Sequence, residues 1–136
     1  MSSEIMNVKH RTEPGYGICI DSAESWIVAV NNAGPDSDPK NITFFGAHPN
    51  TDETFVLVTG KGCIATAPNA DPGGFIVNPM EQGVCYNVRR NTWHTVMMAP
   101  GAKVVICENR NPASDRHDLS EVESGRLISE AKALLG

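Results

Sequence analysis

Short runs of β-branched and apolar residues, each cut off by Gly, Pro, Asn or Asp before a helix could form, constrain this chain most. They fall at Gly17–Ile20, Ser25–Asn31, Ile42–Gly46, Thr54–Thr59, Cys63–Ala67, Gly74–Val77, Val84–Val88, Trp93–Met98 and Lys103–Glu108. Between them lie the segments 31–39, 60–62, 68–74, 90–91 and 100–101, rich in residues that supply positive φ or that cannot sit inside a central strand. Many short strands at even spacing predict an all-β sandwich or barrel. Gly60-Lys61-Gly62 reads as a tight hairpin.

One segment has a different period. Ser120-Glu-Val-Glu123 is a capping box, and Val122, Leu127, Ala131, Leu134 and Leu135 recur near helical spacing. A C-terminal helix is expected over about 120–135, covering a sheet edge or one barrel mouth. The chain of 136 residues fits a single domain spanning 1–136, with the barrel core at about 17–110.

Charge and composition narrow the function. The net charge is −5, and Arg89-Arg90 is the only basic pair, a poor footprint for nucleic acid. No apolar run approaches the roughly 18 residues that span a bilayer, and the first ten residues lack the apolar stretch of a signal peptide. No membrane association and a cytoplasmic location are therefore expected. Cys19, Cys63, Cys85 and Cys107 are widely spaced, which predicts reduced, buried thiols rather than disulfides or a zinc site.

Two segments carry the candidate chemistry. Period two puts Glu53, Phe55 and Leu57 on one strand face, and His94, Val96 and Met98 on another. Phe55, Leu57, Val96 and Met98 are expected inside, with Glu53 and His94 at the rim. A carboxylate heading an apolar row is costly unless it meets water, a donor or a metal. Glu53 is thus either a solvated strand end or a pocket group. His48, beside Pro49, is a loop residue on its own evidence. Arg89 could clamp a carboxylate or simply sit on a surface turn. Trp93 walls the pocket or packs outside it. Glu108 reaches the pocket or ends its strand in water, the latter being favoured. Val56, Val58 and the segment 25–30 are apolar on the opposite face too, which calls for cover, by a homodimer partner as expected here or else by the N-terminal strand or the C-terminal helix.

The spacing Glu53-x6-Gly60, with Gly83-x5-Arg89-x-Asn91-x2-His94, resembles the two motifs of the cupins. That resemblance implies a double-stranded β-helix, or jelly-roll barrel, whose mouth holds a divalent metal ion on His and Glu side chains. Arg89 and Asn91 replace the Pro and Gly of the second motif, and Asn91 can take the same left-handed turn. The His-x-His pair is absent: Glu53 and His94 fall in register, with His48 a third candidate ligand. Further strings, among them His48-Pro49, Gln82-Gly83-Val84, Tyr86 and Thr92-Trp93-His94, are similar to the ureidoglycolate lyase family. By that likeness His48, Tyr86, Trp93 and His94 line the substrate site. Thr95 stands where a second His commonly follows, and Glu53 where an amide is more usual.

Two functions compete. One is a carbon–nitrogen lyase, with His94 and Glu53 as acid–base groups tuned toward neutral pH by partial burial and Arg89 or a metal holding a small carboxylic acid. The other is a non-catalytic cupin that captures a small metabolite. A sugar-nucleotide isomerase of similar fold lacks the paired catalytic residues it would need.

Overall fold

The computed structural model describes residues 5–21 and 23–136. Its strands, in chain order, are β1 (Gly15–Ile20), β2 (Trp26–Asn32), β3 (Phe44–Ala47), β4 (Glu53–Thr59) and β5 (Gly62–Ala67). They continue with β6 (Ile76–Pro79), β7 (Cys85–Val88), β8 (Trp93–Met98), β9 (Lys103–Asn109) and β10 (Asp115–Asp118), followed by α1 (Glu121–Leu135). Two five-stranded sheets form, β1-β2-β9-β4-β7 and β10-β3-β8-β5-β6, and all their strand pairings are antiparallel. The result is a β-sandwich with one C-terminal helix, the jelly-roll class expected from the sequence.

The inner faces follow the period-two reading. Phe55, Leu57 and Met98 are buried between the sheets with Ile64, Val104 and Ile106, and Val96 packs against them partly buried. Position 93 begins the opposite register: Trp93 and Met97 lie on the outer face of the second sheet, with Phe45, Cys63 and Phe75 under α1. Phe45 and Phe75 meet edge to face, ring centroids 5.3 Å apart, a favourable aromatic geometry. Leu127 and Ala131 are the buried contacts of α1, whereas Val122 and Leu134 face solvent. The capping box forms as expected, Ser120 Oγ accepting from the Glu123 amide at 3.1 Å and Glu123 Oε1 from the Ser120 amide at 2.9 Å. The helix covers a sheet face, not the edge or mouth expected, because Met97, Cys63 and Phe75 make that face apolar.

Three other expectations change. Residues 60–62 are no hairpin: β4 and β5 belong to different sheets, so the chain turns a corner there. Gly60 has φ +81°, and a Cβ on it would sit 2.7 Å from Ala102 Cα, so only glycine fits that corner. The strand expected at Gly74–Val77 starts at Ile76, because Pro72–Gly74 form a 3-10 turn in which the Asp71 side chain accepts from the Gly74 amide. The strand β10 is not marked in the sequence, because Asp115-Arg-His-Asp118 has no apolar period; it pairs with β3, His117 lies against Phe45, Trp93 and the Glu123 carboxylate, and Arg116 lies over the Phe44 ring. Among the described residues no helix is long and apolar enough to cross a membrane.

All four cysteines are free thiols, but only Cys63 is buried; Cys85 and Cys107 are exposed. Both lie on the outer face of the first sheet, opposite Val56 and Val28 respectively. With Val30, Val58 and Val105 they form a largely apolar face, bordered by Lys103 and by Arg11 over Gly17, on the side of the first sheet away from α1. The homodimer proposed from the sequence would bury this face. In that case Val56→Glu gives a monomer by sedimentation at micromolar concentration, and frees Cys85 and Cys107 to react with a thiol reagent that wild type resists. A wild-type monomer with both thiols fully reactive rejects the dimer.

Candidate metal centre

Strand register builds the site from three distant segments. Glu53 opens β4 on the inward row of Phe55 and Leu57, and His94 is the second residue of β8 on the inward row of Val96 and Met98. His48 follows the end of β3, whose Gly46 is paired with His94. The Asn91 amide donates to the His48 carbonyl at 3.0 Å, and Asn91 takes the left-handed turn at φ 64° that its motif position requires. That turn ties the loop before β8 to the backbone of His48.

Both imidazoles close on one carboxylate oxygen. His48 Nε2 lies 3.1 Å and His94 Nε2 3.0 Å from Glu53 Oε1. On the far side of each ring, Nδ1 lies 2.9 Å from a backbone carbonyl, Ala113 for His48 and Thr92 for His94. A carbonyl can only accept, so each Nδ1 carries its hydrogen and donates. Each Nε2 then holds either a second proton or a lone pair aimed at the carboxylate. Phe55 packs edge-on against His94, ring centroids 5.7 Å apart, and closes the inner side of the site with an apolar wall.

The electrostatics follow. Burial works to raise the Glu53 carboxyl, but the hydrogen bonds from His48 and His94 outweigh it and leave it at about 2. The hydrogen bond to Glu53 raises His48 to about 9, against the lowering effect of burial. Glu53 therefore moves away from neutrality, which corrects the expectation that it is tuned as a neutral-pH acid. It is a fixed anion.

This donor set fits a metal ion. The three ligand atoms lie within 4.8 Å of one another. Two ligands about 2.1 Å from a common ion and at right angles are about 3.0 Å apart, the spacing from Glu53 to each imidazole. Nδ1–H bonds to backbone carbonyls are also the usual way ligating histidines are oriented. Two neutral imidazoles and one carboxylate, with open positions, are the facial set that suits non-haem iron and related first-row ions.

Of the candidate residues, the structure brings together His48, Glu53 and His94, with Glu108 beside them, and leaves Trp93, Tyr86 and Arg89 elsewhere. His48 arrives although it is out of motif register. Trp93 points to the opposite face of β8, where its indole N–H donates to the Asn69 carbonyl at 2.9 Å. Tyr86 faces the space between β6 and β7, its hydroxyl accepting from the Glu81 amide at 2.8 Å. Arg89 is a solvated turn residue, its side chain 80% exposed and its Nε 3.8 Å from Asp52. None of these three lines the cavity at the triad. That cavity, about 660 Å³, opens between the two sheets and is lined beyond the triad by Tyr16, Asn31, Thr43, Phe44, Thr95 and Ser114 among others. Glu108 takes the pocket alternative and not the favoured solvated strand end, and Tyr16 beside it carried no mark in the sequence. The Glu108 side chain is only 7% exposed, its Oε2 lies 3.7 Å from His48 Nε2, and its Oε1 accepts from the Tyr16 hydroxyl at 3.2 Å. Burial, with the charge of Glu53, raises Glu108 to about 7. The inward parity of position 108 with Val104 and Ile106 was the available signal.

Comparison with known proteins places the fold. No family model and no curated protein matches the sequence. Solved structures do. The hydroxypropylphosphonic acid epoxidase (HppE) from S. wedmorenis matches at TM-score 0.54 and 17% identity, over 70% of this chain and 49% of that one. The capsular polysaccharide assembling protein CapF from Staphylococcus aureus matches at TM-score 0.60 and 19% identity, over 82% of this chain and 32% of that one. A CoII form of HppE with substrate matches at TM-score 0.54 and 17% identity, over 71% and 52% of the two chains. The chain thus spans about half of the epoxidase and a third of the capsular protein. The fold is cupin-like, and within it His48, Glu53 and His94 form a cluster resembling a cupin metal site.

The coupled groups set a pH signature for metal-free protein. His48, raised when folded, contributes stability that is complete below its ordinary 6.5 and lost as pH rises through about 9. Glu53, depressed when folded, contributes stability present above its ordinary 4.5 and lost as pH falls through about 2. Glu108, raised when folded, loses stability as pH rises from its ordinary 4.5 through about 7, so the melting temperature of chelator-treated protein should peak near pH 4.5 and decline toward pH 9. His48→Gln should flatten the alkaline decline; an identical decline in both proteins contradicts the coupling.

Proposed function

We propose that this chain is a mononuclear metal-dependent cupin enzyme acting on a small polar molecule, with His48, Glu53 and His94 holding one divalent first-row ion. The observation that carries it is the convergence of both imidazole Nε2 atoms on Glu53 Oε1 while both Nδ1–H groups are engaged by backbone carbonyls. A bound ion would supply Lewis acidity, or redox chemistry if it is iron. The chain's own residues would do the rest. Ala113 and Thr92 fix the two rings, Phe55 keeps water from the inner side, and Asn31, Thr43 and Ser114 offer hydrogen bonds to orient a ligand. A cavity of about 660 Å³ is within the usual range for small-molecule sites. HppE has been solved in FeII and CoII forms, which makes these the first ions to test here.

The lyase reading is supported by the sequence likeness to ureidoglycolate lyases, of whose four site residues His48 and His94 stand in the cavity. Tyr86 and Trp93 do not, and no Arg or Lys is among the described residues lining it to clamp a carboxylate. Ureidoglycolate is accordingly one test compound among several small polar acids, amides and alcohols.

Protein purified without chelator or affinity tag should carry close to one equivalent of a first-row metal by elemental analysis. His94→Ala should lose it, with metal affinity falling at least tenfold. Turnover of any compound in the panel should be lost on chelation and return with metal. Unchanged metal content in His94→Ala rejects the site, and metal-loaded protein that binds but never converts a ligand leaves the non-catalytic cupin.

A further inference from the structure

Glu108 sits beside the triad with only one of its two oxygens held by a hydrogen bond. It lies on β9 directly across from Glu53 on β4, so two carboxylates project side by side from adjacent strands toward the space between the sheets. Its other cross-strand neighbour is Ile27, which is buried and offers nothing polar. The carboxylate is held from one side only. Oε1 accepts from Tyr16, while Oε2 is buried with no hydrogen-bond partner, 3.7 Å from the Nε2 atom of His48 that also meets Glu53.

A buried carboxylate oxygen without a donor is costly, and a second carboxylate beside it adds repulsion. Water could not easily satisfy it, since the atom has no accessible surface. Glu108 is outside the group of atoms lying within 4.8 Å of one another, so its side chain must swing toward the imidazoles to reach an ion there; in doing so it would gain a partner for the orphaned oxygen and relieve the repulsion between the carboxylates. Tyr16 meanwhile anchors the other oxygen, which holds the side chain on the site and leaves Oε2 as the free donor.

We infer that Glu108 is a fourth protein ligand of the ion, making the centre a two-histidine, two-carboxylate site. This rests on the metal-centre reading above. It has a consequence for charge: with both carboxylates bound, a divalent ion is neutralised by the protein, whereas the triad alone would leave it one positive charge. Such a site favours hard, oxygen-preferring divalent ions more than the triad alone would.

The test is titration of metal-free wild type, Glu108→Gln, Glu108→Asp, Tyr16→Phe and His94→Ala with Co(II), reading both affinity and the visible ligand-field spectrum. Glu108→Gln should bind Co(II) at least tenfold more weakly, with shifted band positions and altered intensity, because an inner ligand has changed. Glu108→Asp should recover part of the affinity. Tyr16→Phe should weaken binding less than Glu108→Gln does. Metal-free Glu108→Gln should melt no lower than wild type, since a neutral amide replaces a buried carboxyl set beside the Glu53 charge, and so a folding failure is separated from a loss of ligand. A Glu108→Gln spectrum superimposable on wild type, or unchanged affinity, overturns the fourth ligand while the triad stands. Full Co(II) binding by His94→Ala overturns the triad itself.

Discussion

Everything particular to this molecule depends on one carboxylate oxygen approached by two imidazoles. Glu53 Oε1 receives His48 from the end of β3 and His94 from β8, so a single atom joins the two sheets at the cavity. Such a junction has two stable forms. Either the rings are hydrogen-bonded to the carboxylate, as here, or, on the proposed function, a metal ion stands between them. The backbone serves either use, because the carbonyls of Ala113 and Thr92 turn both Nε2 atoms inward. Protons and metal therefore compete for one site.

The architecture leaves that corner polar and makes the rest dry. The second sheet is buried on both faces, between the sheets by Ile64 and Met98 and under α1 by Phe45, Cys63 and Met97. It forms the stiff wall that presents His94. The first sheet is buried on one face only, and its other face carries Val28, Val56, Val105 and the exposed Cys85 and Cys107. A rigid wall on one side suits a site whose ligand atoms must hold spacings near 3 Å, since a shift of a few tenths of an ångström is felt in coordination.

Much of this was legible in residue order. Period two placed Phe55, Leu57 and Met98 inside, with Glu53 and His94 heading their rows, and the capping box at Ser120 and Glu123 marked the helix start. What failed were features set by partners far away in sequence. Trp93 adjoins His94 in the chain, yet the same period that aims His94 inward sends Trp93 toward α1. Glu108 looked like a strand end because Asn109 and Arg110 follow it; its burial comes from lying across from Glu53, a register that nothing local reveals. His48 stands out of motif register, and only the path of β3 and the Asn91 turn carry its ring to the carboxylate. The polar strand β10 had no side-chain pattern to read.

The central claim is that three side chains meet on one ion. Crystals of the protein soaked in Co(II) and measured on either side of the cobalt absorption edge test it most directly. A single strong anomalous peak is expected, bounded by His48 Nε2, Glu53 and His94 Nε2, each within about 2.0–2.2 Å of its centre. No peak there, with the Glu53 carboxylate still hydrogen-bonded to both rings, would contradict it and leave the cluster a proton-held ion network.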